Sequence, residues 1–139
     1  LWAGLKDGTI DCIATDHAPH TIEDKETDFF AAPFGMIGLE SAFGMSHTVL
    51  TKAGAKTEDV IRWLTIAPER ILNLPYFSIE KGKKANLTIL DKDEIWEFEQ
   101  NDIFSRSSNS PMIGMEFIGK VKLTMSGSTI ISDTSLFSD

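Results

Sequence analysis

The chain has 139 residues, with 21 Asp and Glu against 13 Lys and Arg and a formal charge of −8. That acidic balance argues against a surface built to neutralise phosphates, so nucleic acid is excluded as an expected partner. A complete (β/α)8 barrel takes typically about 250 residues, so the length leaves no room for one, although 42% hydrophobic residues are enough for a real core.

Leu1 to Gly8 reads as the tail of a helix stopped by glycine. It lacks the charged-then-apolar pattern of a signal peptide, and the expectation is that it lies in the middle of a longer chain. Ile10 to Thr15 is a short, mostly apolar run, the pattern of a buried parallel strand. Its one cysteine, Cys12, is the only one in the chain, which rules out an internal disulfide and fits a reducing, cytoplasmic setting. Asp16-His17-Ala18-Pro19-His20 follows, with Pro19 forbidding a helix through the cluster. Residues 21 to 27 read as a charged surface loop, ended by Ala32-Pro33-Phe34-Gly35. Helix signals run from Met36 or Ile37 to about Lys52, with Gly54 as a stop. Thr57 reads as an N-cap with Glu58 and Asp59 in the first turn, and Pro68 as the N1 residue of a further short helix ending near Asn73.

From about residue 76 the period changes. Asn86 to Leu90 and Ile95 to Glu99 alternate polar and apolar residues, as short strands do. Lys120 to Met125 and Ser128 to Ile131 flank Ser126-Gly127, a hairpin pattern. Ser105 to Met112 reads as a loop, and 133 to 139 as a frayed end. No uncharged apolar run reaches the roughly 18 residues of a membrane span.

The polar concentration at Asp16, His17 and His20 is the one functional signal of note. Carboxylate and imidazole are ligand types suited to Zn²⁺, and an Asp beside a metal can serve as general base for bound water. Reactive groups in α/β folds sit at the carboxyl ends of strands, where this cluster falls. Spacing alone leaves open a plainer reading, in which Asp16 caps a turn and the histidines are surface residues, because Pro19 breaks the helical register that would aim both rings at one ion. His47, inside the expected helix, reads as a packed residue. Gly35 and Gly38 read as a turn followed by a tolerated glycine rather than a phosphate site, since no Gly-x-Gly-x-x-Gly pattern appears.

Ile13-Ala14-Thr15-Asp16-His17-Ala18-Pro19-His20 resembles the last-strand motif of dihydroorotases, cyclic amidohydrolases of pyrimidine synthesis. The resemblance extends through Trp2 to Asp11, Ala32 to Glu40, Ile79 to Asp91 and Ser108 to Gly114, nearly the whole chain. Asn86 stands where the family usually has Asp, a departure that touches structure rather than the site. The resemblance implies an α/β fold: the closing β/α segment of an incomplete barrel over residues 1–75, then part of a small composite β-sandwich domain over 76–139. It implies that Asp16 ligates the metal and shuttles a proton to the ring nitrogen. His20 would hold the substrate carboxylate, and the backbone of Phe34 and Gly35 would meet the ring amide. His17 is expected to support a neighbour rather than touch the ion.

One or two Zn²⁺ ions are implied, with most ligands outside these residues: the family's His-x-His pair, its bridging acid or carbamylated Lys and its later metal histidines are all absent here. The expectation is therefore the C-terminal third of a dihydroorotase, inactive alone, whose whole takes a small-molecule substrate and forms a homodimer, with aspartate transcarbamoylase as a further partner. The rival readings are a dihydropyrimidinase- or allantoinase-like enzyme and a non-catalytic dihydroorotase-like subunit.

Overall fold

The computed structural model describes residues 1–75 and 78–133. The frayed end expected over 133 to 139 falls beyond them except at Asp133, and the expected boundary at 75/76 abuts Tyr76 and Phe77, which also lie outside the described residues.

The first half is helical. Helix α1 (Trp2–Asp7) stops at Gly8 as expected. A short α2 (Ile22–Lys25) follows, then α3 (Ala42–Lys52), α4 (Thr57–Leu64) and α5 (Ile66–Ile71). Leu5, Leu50, Val60 and Trp63 form a buried cluster, with Trp2, Ile10 and Ile13 packed against it. Val60 and Trp63 are one helical turn apart, so a single face of α4 supplies half of that cluster.

Four expectations change here. Residues 10–15 form no strand. Their backbone meets the fold through Ile13 N–H to Trp63 O at 3.0 Å, and a single parallel bridge joins His17 to Met36. A parallel strand needs neighbours on its edges to form a ladder, and the described residues provide only that one bridge. Helix α3 begins at Ala42 rather than near Met36, because residues 36–38 are spent on contacts to the 15–18 segment. Thr57 is the first helical residue rather than the cap, which is Lys56, and Pro68 stands third in α5, which starts at Ile66. Asn73 does end that region, with φ +53 in the left-handed region that Asn tolerates.

The second half is one antiparallel sheet, β1 (Leu87–Glu97), β2 (Glu116–Ser126) and β3 (Thr129–Asp133), in the order β1-β2-β3. The two short strands expected at 86–90 and 95–99 are a single β1, broken in register between Ile89 and Leu90 and between Asp91 and Ile95. Such bulges reset which residues face inward. After them the alternation holds as read: Ile95 is exposed and Phe98 is buried. Phe98 and Phe117 pack with Trp96, ring centroids 5.7 to 6.0 Å apart. The β2–β3 hairpin turns at Gly127-Ser128, both with positive φ, the requirement of a type I′ turn. Asn86 Oδ1 accepts the Gly127 N–H at 2.8 Å, a role any Oδ1 acceptor serves, so the departure from Asp there is structural.

The two halves meet along α3 and β2. His47 is buried in that seam. Its Nδ1 faces the Ile118 carbonyl at 2.8 Å and so carries the proton, which leaves Nε2 to accept from Thr57 Oγ1 at 2.9 Å. Thr48 Oγ1 donates to Gly44 O and accepts the Ile118 N–H at 2.7 Å. His47 is thus a packed residue, as read.

Candidate active site

The segment 16–20 lies beside 33–38, and the loop 105–110 from the second half lies against both. Asp16 directly follows the 10–15 run. Its φ of +47 is unusual for a residue with a side chain, tolerated by Asp better than by most, and such strain gathers at functional positions. The carboxylate is exposed, and among the described residues it has no hydrogen-bond or ion-pair partner. It borders an open cleft of about 690 Å³ lined also by Thr15, Lys25, Gly35, Asn109 and Ser110.

His17 and His20 both turn toward the neighbouring loop. His17 Nδ1 accepts the Gly38 N–H at 3.1 Å, which ties 15–18 to 36–38. His20 Nε2 faces the Phe34 carbonyl at 2.9 Å and so donates to it, which leaves Nδ1 uncommitted among the described residues. The Phe34 ring is 97% exposed. The Gly35 carbonyl accepts from Lys25 Nζ at 2.6 Å and lies 3.4 Å from Asn109 Nδ2. Gly35 itself has φ +105, and a Cβ there would meet Ala18 Cβ at 2.5 Å. The space that glycine provides is therefore filled first by Ala18. Asp16 and Gly35 border that cleft, whereas His20 meets the Phe34 carbonyl and lines a neighbouring cleft with Arg106 and Ser107, and the two carbonyls of 34–35 are already engaged.

Among the described residues no three His, Cys, Asp or Glu side chains converge as a group able to hold a metal ion. Asp16 offers one exposed oxygen donor, whereas zinc takes three or four protein ligands, so a metal would need donors from elsewhere.

Four residues that the sequence reading did not single out shape this site. Lys25, placed in a solvated loop, belongs instead to α2, which is capped by a reciprocal Thr21–Asp24 box, and its ammonium joins the Pro33 and Gly35 carbonyls. Ser107 Oγ donates to the His20 carbonyl. Asn109 bonds Ala18 and His20 through its side chain and Ile37 through its carbonyl. Glu40 Oε1 accepts from the Ser105 N–H at 2.7 Å and from its hydroxyl, while Oε2 is buried without a partner among the described residues. Burial pushes the Glu40 pKa up, but the hydrogen bonds from Ser105 and nearby backbone outweigh it and hold the carboxyl below its ordinary value. The capping box, Thr21 with Asp24 three residues on, was the one signal in the sequence for α2. Nothing in the Ser-rich loop marks Asn109, because its partners are backbone carbonyls that any sequence supplies.

The sequence pattern of the amidohydrolase family matches residues 1–131. A dihydroorotase from Clostridium acetobutylicum is 47% identical over 93% of this chain and 31% of its own length. One from Pediococcus pentosaceus is 42% identical over 94% of this chain and 31% of its own length. Among solved structures, the L-hydantoinase (dihydropyrimidinase) from Arthrobacter aurescens superposes with a TM-score of 0.82 at 30% identity, over 95% of this chain and 31% of that one. The D-hydantoinase (dihydropyrimidinase) from Thermus sp. gives 0.81 at 19% identity, over 99% and 32%, a likeness of fold alone. The chain spans about a third of the length of each of these relatives.

Proposed function

Since this chain belongs to the amidohydrolase family, we propose that it is the C-terminal portion of a dihydroorotase, which interconverts L-dihydroorotate and N-carbamoyl-L-aspartate. The observation that carries this reading is the 47% identity to a dihydroorotase across 93% of the chain. In this reading residues 1–75 close a (β/α)8 barrel and 76–139 belong to its β-domain. The 10–15 run would gain its strand neighbours from the rest of the barrel.

Zn²⁺, held by Asp16 together with donors outside this chain, would supply Lewis-acid polarisation and water activation when bound. Asp16 takes the proton of the attacking water and passes it to the ring nitrogen as the amide C–N bond breaks. Its exposed carboxylate, unpartnered among the described residues, leaves one oxygen for the metal and the other for the proton. His20 keeps its Nε2–H on the Phe34 carbonyl and turns Nδ1 toward the substrate carboxylate, with which it pairs when the ring carries its second proton. With the 34–35 carbonyls engaged, their N–H groups, which have no partner among the described residues, are what this pair offers to the ring carbonyl. Homodimer formation, association with aspartate transcarbamoylase and a cytoplasmic setting belong to the same proposal; gel filtration of the complete enzyme with and without the transcarbamoylase tests the first two.

A hydantoinase-like activity is the second reading, favoured by the 0.82 TM-score but set against a lower identity of 30%. Only dihydroorotate carries the ring carboxylate assigned to His20. In the complete enzyme His20→Ala should therefore raise KM for dihydroorotate by about tenfold or more while changing dihydrouracil use little. Equal losses on both substrates would overturn the assignment. A non-catalytic subunit is set apart by the remainder of the reading frame, which for the enzyme must encode His-x-His and the other ligands. The 139-residue chain alone, assayed with zinc, should neither bind two ions nor hydrolyse dihydroorotate.

A further inference from the structure

We propose that Asn109 is a positioning residue that sets the 18–20 and 33–37 loops relative to each other, so that the second half of the chain fixes the substrate side of a site whose candidate groups all lie in the first half. The inference deepens the dihydroorotase reading and rests on it for the identity of the substrate.

The side-chain amide of Asn109 is fully committed. Its Oδ1 accepts the His20 N–H at 3.1 Å. Its Nδ2 donates to the Ala18 carbonyl at 3.0 Å and lies 3.4 Å from the Gly35 carbonyl. The amide orientation is dictated by these partners, since a flip would set N against N–H and O against two carbonyl oxygens. The backbone joins in: the Asn109 carbonyl accepts the Ile37 N–H at 3.2 Å. Ser107, two residues earlier, has one hydroxyl proton lying between the His20 carbonyl and Asn109 Oδ1. The Glu40–Ser105 bonds pin the start of the same loop.

One side chain thus holds the backbone on both sides of His20's neighbour Pro19, at Ala18 and His20, and the carbonyl of Gly35 besides. The His20 ring reaches the Phe34 carbonyl only if these two loops keep their spacing. Asp16 lies outside the set that Asn109 touches, so loss of Asn109 should act on substrate binding more than on proton transfer.

The test uses Asn109→Asp, which keeps size and the acceptor but turns an anionic oxygen toward two carbonyls, and Asn109→Ala, which removes the tie. In the complete enzyme both should raise KM for dihydroorotate by about tenfold, with kcat within about threefold of the parent. A merely structural role would lower the active fraction, so kcat would fall at unchanged KM; that result, or unchanged kinetics, overturns the inference. Amide hydrogen exchange is read in the same proteins without substrate. The His20 amide, which loses its Oδ1 acceptor, should exchange about tenfold faster in Asn109→Ala, and an unchanged rate overturns the tie. If the parent enzyme does not turn over dihydroorotate, the dihydroorotase reading fails by itself, and the exchange rates alone decide the role of Asn109.

Discussion

Asp16 and Gly35 show how single residues set the candidate site. Asp16 holds a left-handed backbone with an exposed carboxylate and no partner among the described residues, so it contributes little to the fold that a neutral isostere would lose. Asp16→Asn in the complete enzyme should lower kcat by about a hundredfold or more, with the thermal midpoint unmoved. A variant that unfolds at lower temperature instead would assign Asp16 to the fold. Gly35 is the opposite case. Gly35→Ala combines positive φ with a Cβ contact of 2.5 Å to Ala18, and should cost at least about 2 kcal/mol in urea unfolding. The Asp-His-Ala-Pro-His string was legible at this scale because its residue types are chemically distinctive. Its partner Asn109 and the Lys25 that binds the Pro33 and Gly35 carbonyls were not, because a side chain that binds backbone carbonyls leaves no complementary residue type in the sequence to pair with it.

Elements were legible where a face meets a core and misread where tertiary contacts override local pattern. The alternation of Trp96 and Phe98 marks the inward face at the end of β1 and just past it, although the separate strand expected over 95–99 is the end of one longer strand, and α1 stops at Gly8. The helical pattern begins five or six residues before α3 does, since the apolar residues Met36 and Ile37 satisfy it equally well while their backbone serves the 15–18 segment and Asn109. The 10–15 run has the composition of a buried strand but forms no ladder among the described residues. The α3–β2 seam gives the prediction at this scale. Thr48→Val removes the hydroxyl that accepts the Ile118 N–H, and should destabilise the chain by about 1–3 kcal/mol. Chemical denaturation measures it; a midpoint equal to the parent's would show that the strand amide finds another acceptor.

Across the whole molecule, the acidic charge keeps only its modest meaning, and among the described residues no helix is long and apolar enough to cross a membrane. Among the described residues the helices precede the sheet, and the two are joined at the α3–β2 seam, at Glu40–Ser105 and at Asn109. One of these joints is acid-sensitive. The Glu40 carboxyl is held below its ordinary value of 4.5, so its contribution to stability is present above that pH and is lost as pH falls through the lower folded value. Thermal midpoints measured from pH 6 downward should fall less steeply below 4.5 in Ser105→Ala than in the parent; parallel slopes would remove Glu40 from the account. The joints also span long stretches of chain: Glu40 to Ser105 is 65 residues, His20 to Asn109 is 89 and Ala18 to Asn109 is 91. Contacts of such separation carry a loop-closure cost and tend to arrive late in folding. The hairpin and helices can form from near neighbours, whereas the loops around Asp16 and His20 acquire their spacing only once the Ser105–Ser110 loop has arrived. In refolding the chain would thus hold its sheet before its site, and recovery followed by the His20 amide should lag behind recovery followed by Trp96.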